Sequence, residues 1–184
     1  MTLLRQLVLA LVLGLASTGA MAQGLEVHSV ELVRQGGEWT ARATWSAPWE
    51  REPFRQVHEG VPIDFTVEFR VFRRRGWWLD ATVAVARAQR EVYYNRLTRQ
   101  YRIIDRWAAE RRFTREWARA RTLVERSGPV PVVGADRLAG GGSFYLGVRV
   151  KASQEHLSLP ARVLNSLTGG WRGVSEWRYR PLAR

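Results

Sequence analysis

The sequence predicts a mainly β domain of the α+β kind, an antiparallel sandwich-like arrangement of about seven strands with two or three short inserted helices. Three stretches carry this expectation. In IDFTVEFRVF, Ile63, Phe65, Val67, Phe69 and Val71 fall on one side, while Asp64, Thr66, Glu68 and Arg70 fall on the other. Five apolar residues at strict period two, rich in β-branched and aromatic types, describe a half-buried strand. LEVHSVELVRQGGEWTARATW places Leu25, Val27, Val30 and Leu32 before a Gly36-Gly37 turn, with Trp39, Ala41, Ala43 and Trp45 after it, the pattern of a hairpin. SFYLGVRVKA alternates again, with Phe144, Leu146, Val148 and Val150 directed inward.

The remaining elements follow in chain order. SAPWEREPFRQVHEGVP, with Phe54, Val57 and a terminal Gly60 before Pro62, fits a short helical connector. Residues 81–96 admit two readings. Val85, Ala88 and Val92 would line a helical face, but Val83–Ala86 and Val92–Tyr94 are extended in character. The turn NRLTR before QYRII favours the strand. FTREWARARTLVERSG predicts a helix with Thr114 as N-cap, Phe113, Trp117, Ala120 and Val124 on one face, and Gly128 as the stop. GPVPVV is an edge segment, because its prolines cannot donate to a central ladder. ADRLAGGG reads as a loop, LPARVLNSL as a helical piece from Pro160, and WRGVSEWRYRPL as a closing strand directing Val174, Trp177 and Tyr179 inward.

The first 22 residues carry Arg5, an apolar run from Leu7 to Leu15 and an Ala20-x-Ala22 motif. This is the pattern of a cleavable signal peptide. The run falls short of the roughly 20 residues that cross a bilayer. Cleavage after Ala22 leaves residues 23–184, enough for one domain. The expected product is soluble and periplasmic, with no transmembrane segment in the mature chain. With no cysteine, the chain has no disulfide, thiolate nucleophile or cysteine-bound metal, and its stability must rest on burial.

The net charge is +12, and 28 of the 29 basic residues are arginine, Lys151 being the exception. Export argues against a nucleic-acid partner. An acidic protein surface or an anionic glycan or glycolipid stays open, as does a basic surface that is merely solvated. His28, His58 and His156 stand apart without metal-ligand spacing, no G-x-S-x-G elbow occurs, and the glycine run at 140–142 lacks the phosphate-loop lysine. No catalytic residue, metal or cofactor is therefore expected, and the protein reads as non-enzymatic.

What stands out is arginine beside aromatics. Arg73, Arg74 and Arg75 precede Trp77 and Trp78, and Tyr94, Arg96, Arg99 and Tyr101 follow along YYNRLTRQYR. Arginine stacks on aromatic rings and forks acidic groups, so these nine residues form the expected partner-binding ribbon. The competing reading is that Tyr94, Leu97 and Tyr101 pack the sheet while the arginines project into water.

EGVPIDFTVEFRVFRRRGWWLD followed by YYNRLTRQYRI resembles the DUF4390 family of exported bacterial domains. The shared positions are Gly60, Val61, Pro62, Trp77, Trp78, Asp80, Tyr94, Leu97, Thr98, Gln100 and Tyr101, and the closing LPARVLNSL and SEWRYRP are similar too. DRWAAERRF departs from the pattern, which would place a shorter hairpin there, leading to a serine or threonine cap. The resemblance implies an exported protein of Gram-negative bacteria with no assigned activity, and an envelope partner such as a membrane histidine kinase. The expected role is a protein-interaction or envelope-signalling accessory module, with binding or modification of an acidic envelope glycan or glycolipid as the alternative.

Overall fold

The computed structural model describes residues 24–76, 79–139, 141–154 and 171–182. The leader, Trp77, Trp78, His156 and the helical piece expected from Pro160 lie outside the described residues. The chain is mainly β, in two antiparallel sheets. The strands are β1 (Glu26–Gln35), β2 (Glu38–Ser46), β3 (Ile63–Arg73), β4 (Ala81–Asn95), β5 (Gln100–Asp105), β6 (Glu110–Thr114), β7 (Val130–Gly134), β8 (Phe144–Ser153), β9 (Arg172–Val174) and β10 (Arg178–Pro181). Among the described residues, one α-helix, α1 (Trp117–Val124), and two short 3-10 turns, Phe54–Glu59 and Ala135–Leu138, join them. No helix among the described residues is long and apolar enough to cross a membrane.

The smaller sheet has the order β1-β2-β7, and the larger runs β10-β8-β3-β4-β5-β6, with β9 also on β8. The first hairpin turns on Gly36 and Gly37, whose φ angles of 56° and 84° are what a two-residue type I′ turn requires. As its prolines demand, β7 lies at a sheet edge. The expected half-buried strand is β3, which is central in its sheet between β4 and β8, with Ile63, Phe65, Val67, Phe69 and Val71 all fully buried. They face Ala41, Ala43 and Trp45 of the smaller sheet, and Leu146, Val148 and Val150 extend the same layer. At one end Trp49, Phe54, Phe65 and Trp117 close the core as an aromatic cluster, with centroid distances of 4.9–6.3 Å. The 3-10 turn before β3 stops at Gly60, held at φ 92° with its N–H on the carbonyls of Gln56 and Val57.

Residues 81–95 form one long strand, settling the ambiguity in favour of β. The helical expectation over FTREWARARTLVERSG is corrected at both ends. Phe113 and Thr114 belong to β6, drawn into the ladder opposite Arg102 and Tyr101, and Phe113 is exposed. Glu116 occupies the cap position of α1, and Thr114 Oγ1 only accepts the Glu116 N–H. The helix stops at Val124, short of Gly128, because the next residues pair with β2: Trp45 N donates to Glu125 O and Ser127 N to Ala43 O.

Strand β6 has no counterpart in the sequence pattern, and its origin is visible in the turn before it. Asn95-Arg-Leu-Thr-Arg99 and Asp105-Arg-Trp-Ala-Ala109 are built alike. In each, the first side chain's Oδ1 accepts the N–H groups two and three residues on, at 3.0–3.1 Å. Each closes on a left-handed residue, Arg99 at φ 51° or Ala109 at φ 53°. The departure at DRWAAERRF is thus a second four-residue hairpin, not a shorter one. Two further corrections concern the C-terminal segment. It forms two short strands instead of one, and Val174 and Tyr179 point outward, 41% and 56% exposed. Within ADRLAGGG, residues 135–138 make a 3-10 turn.

Candidate functional site

The seven ribbon residues that are described do not come together as one surface. Arg73 ends β3, and Arg74 and Arg75 are exposed in the link to β4. That link is fastened by Arg74 N on Ser143 O (2.8 Å) and by Asp80, whose carboxylate accepts the Arg75 N–H and the Tyr145 hydroxyl. The Tyr145 hydroxyl and then the Arg75 N–H hold the Asp80 carboxyl below its ordinary range, while Asp80 in turn pushes Tyr145 up to about 12. Arg96 and Arg99 project from the β4–β5 turn, fourteen residues further along β4, a separation of about 45 Å. Tyr94 and Tyr101 pair across the strands at 5.0 Å and turn inward, where the Tyr101 hydroxyl meets His58 Nδ1 at 2.8 Å and its ring packs on Trp117. Leu97, in contrast, is 96% exposed at the turn's tip.

What the fold does bring together is the outer face of the larger sheet. Asp64, Thr66, Glu68, Arg70 and Phe72 of β3 alternate away from the core, and register fixes their neighbours. Glu68 lies between Arg87 of β4 and Arg149 of β8, and Phe72 is paired with Tyr145. Among the described residues, neither a helix nor a second sheet packs on this face. Its ladder positions carry seven cations, Arg70, Arg87, Arg102, Arg111, Arg149, Lys151 and Arg172, against the carboxylates of Asp64, Glu68 and Glu91. Glu91 is spoken for by Arg106.

At the centre, Glu68 is fully buried beneath three of these cations. Lys151 Nζ stands 2.8 Å from Oε2, Arg149 Nη2 3.1 Å from the same oxygen, and the Arg70 guanidinium binds Oε1. Burial alone would raise the Glu68 carboxyl, but hydrogen bonds from Lys151, Arg70 and Arg149 outweigh it and hold the pKa at about 2. One carboxylate thus organises three cations, and the excess charge faces outward.

Aromatic rings flank this cluster. Arg149 lies 4.4 Å and Arg70 5.3 Å from the Trp177 ring, and Arg74 reaches Tyr145. Trp177 and Tyr179 are near-parallel, 17° apart with centroids at 6.3 Å, and Tyr145 stacks on Phe72 at 5.1 Å. Gly147 makes room for them. A Cβ there would lie 3.0 Å from Phe72 Cε2 and Tyr179 Cε1 and 3.2 Å from Trp177 Cε3. Further along the face, Arg102 is 6.0 Å from the Tyr93 ring and 5.8 Å from Phe113. Interleaved arginine and aromatic side chains are therefore present, but mostly on residues other than the nine expected. The polar alternation of β3 points to Glu68 and Arg70. Their partners Arg149, Lys151 and Trp177 are 81–107 positions away and become neighbours only through the β3–β8–β10 order.

The arrangement offers charge and flat aromatic surface, which suits binding. His28 and His58 are engaged with Ser46 and Tyr101. No curated protein and no solved structure gives a match to this chain. Of the positions on which the sequence resemblance rests, Gly60 caps the turn into β3, Asp80 fastens the β3–β4 link, and Tyr94 and Tyr101 pair across β4 and β5. The model of the family described as a domain of unknown function, DUF4390, matches residues 22–180, nearly the whole length, and the chain belongs to that family.

Proposed function

We propose that this protein is an exported, periplasmic binding module without catalysis of its own, and that it docks an acidic surface of an envelope protein on the outer face of its larger sheet. The external part of a membrane histidine kinase is the first partner to test. One observation carries the reading: seven cations face three carboxylates on that face, and Glu68 and Glu91 are buried and already paired. Such a field speeds encounter with an acidic partner, and arginine with exposed aromatics supplies the contacts that hold it. The turn at Arg73–Arg75 borders the face through Arg74 and Tyr145 and forms its rim. Export rests on the leader's residue pattern.

The test is titration of the purified kinase ectodomain with wild-type protein, with Arg87→Glu/Arg111→Glu, and with Arg73→Ala/Arg74→Ala/Arg75→Ala. The Arg87 and Arg111 side chains are exposed and make no ion pair with Glu68; because a glutamate at position 87 would sit opposite Glu68, far-UV circular dichroism first checks that the reversed variant is folded. At least a tenfold loss is expected for the reversal, with a smaller loss for the rim variant. Equal affinity for all three would remove the face from consideration. Recovery of the protein from spheroplasts instead of the periplasmic fraction would contradict export.

A second reading, binding of an acidic envelope glycan or glycolipid, is favoured by the near-parallel Trp177 and Tyr179 rings beside Arg149. A uronic-acid oligosaccharide in place of the ectodomain separates the two readings. Saturable binding lost in Trp177→Ala would support the glycan.

A further inference from the structure

On the opposite, inward side of the larger sheet, the β5–β6 hairpin, the end of α1 and strand β2 enclose a cleft of about 300 Å³. Its charges sort into two classes. Arg90, its side chain 13% exposed, donates to the carbonyls of Leu123 in the last turn of α1 and Arg126 just beyond it, and to the Asp105 carboxylate, so it fastens α1 to β4 and β5. Asp105 is used up by Arg90 and by the N–H groups of Trp107 and Ala108, both at 3.0 Å. Glu110 is paired with Arg112 at 2.7 Å. Each carboxylate lining the cleft is therefore neutralised within the wall. Arg42 and Arg126 line the same cleft, are exposed, and have no hydrogen-bond or ion-pair partner for their guanidinium groups among the described residues. Between them the wall is apolar, from Ile103, Leu123, Ala108 and Pro129.

Two uncommitted guanidinium groups at an apolar cleft satisfy a ligand with an acid group at one end and a hydrocarbon body at the other. The volume lies at the lower end of the roughly 300–1,000 Å³ of small-molecule sites. It has room for one ring or a short chain beside a carboxylate or phosphate. Guanidinium forks bind both acids by paired, charge-assisted hydrogen bonds. We infer that this cleft is a binding site for a small organic anion, with Arg42 and Arg126 holding the acid group and Ile103 and Leu123 the body. The site uses none of the outer-face residues.

Amide chemical-shift titration of the purified protein with phenylacetate tests it, with benzyl alcohol as the probe lacking charge and inorganic phosphate as the probe lacking a body. Saturable shifts are expected for phenylacetate at the amides of Ala108, Ser127 and Gly128, with little response to benzyl alcohol and a weaker one to phosphate. Arg42→Gln/Arg126→Gln should weaken phenylacetate at least tenfold, and Arg137→Gln, at an exposed arginine away from the cleft, should leave it unchanged. Shifts spread evenly over the arginine-rich surface, no shift at the cleft amides, or equal affinity in the double variant would overturn the site. Should the double variant fold poorly, the wild-type shift map alone decides between a cleft-bound anion and none.

Discussion

Replacing Glu68 by Gln keeps the shape of the side chain and removes its charge from beneath Lys151, Arg149 and Arg70. The cost follows from the structure. The carboxyl is held at about 2 against an ordinary 4.5, and every tenfold change in acid strength corresponds to about 1.4 kcal/mol, so the folded state gains about 3 kcal/mol from the ionised group. Water reaches Lys151, whose side chain is 39% exposed, and reduces this toward 2 kcal/mol. Because the folded pKa is depressed, the contribution is complete above pH 4.5 and is lost as the pH falls from there through about 2. For a chain of this size, 2–3 kcal/mol corresponds to a fall in Tm of about 4–12 °C. Urea denaturation followed by tryptophan fluorescence, at pH 7 and at steps down to pH 2, measures both effects. Glu68→Gln should be less stable at pH 7, and the gap to wild type should close between pH 4.5 and 2. A variant within about 0.5 kcal/mol of wild type at pH 7, or a gap independent of pH, would refute the reasoning.

Two other substitutions probe the face and the core. Gly147→Ala places a Cβ against the rings of Phe72, Tyr179 and Trp177; a cost of about 1–3 kcal/mol and an altered near-UV circular dichroism spectrum are expected, and an unchanged spectrum would mean the rings do not rest there. Tyr101→Phe removes the hydroxyl bound to His58 and should cost about 1 kcal/mol in denaturant titration, whereas a stabilised variant would show that the hydrogen bond contributes nothing.

Strand positions with a local signal are legible in the sequence. Ile63 to Val71 alternate without interruption, Gly36-Gly37 mark a hairpin, and Pro129 and Pro131 place β7 at an edge. Elements decided by tertiary pairing are not. Glu110–Thr114 carry the polar pattern ERRFT, with Phe113 turned outward, and they become a strand because β5 offers an unpaired edge and Asp105 sets the turn. Thr114 has the chemistry of a helix cap, but its ladder position opposite Tyr101 prevails. The described arginines and tyrosines of the ribbon do not share one surface, for a related reason. Arg73 and Arg99 are close in sequence, yet a continuous fifteen-residue strand holds their turns at opposite ends. Tyr101 looks like a surface aromatic among arginines, but strand parity directs it to His58 and Trp117. The face that does gather arginine and aromatic side chains depends on β8 returning beside β3 and β10 beside β8, which no local pattern announces.

The proposal that the larger sheet's outer face is the docking surface is tested most directly by site-specific photo-crosslinking in the cell. Val85 and Val33 suit the comparison: both are exposed, at 45% and 47%, on the outward sides of the larger and smaller sheets. A crosslinker at position 85 should give an adduct with the kinase ectodomain, and Arg87→Glu/Arg111→Glu should abolish it. An adduct from position 33 alone, or one from position 85 that survives the charge reversal, would contradict the account.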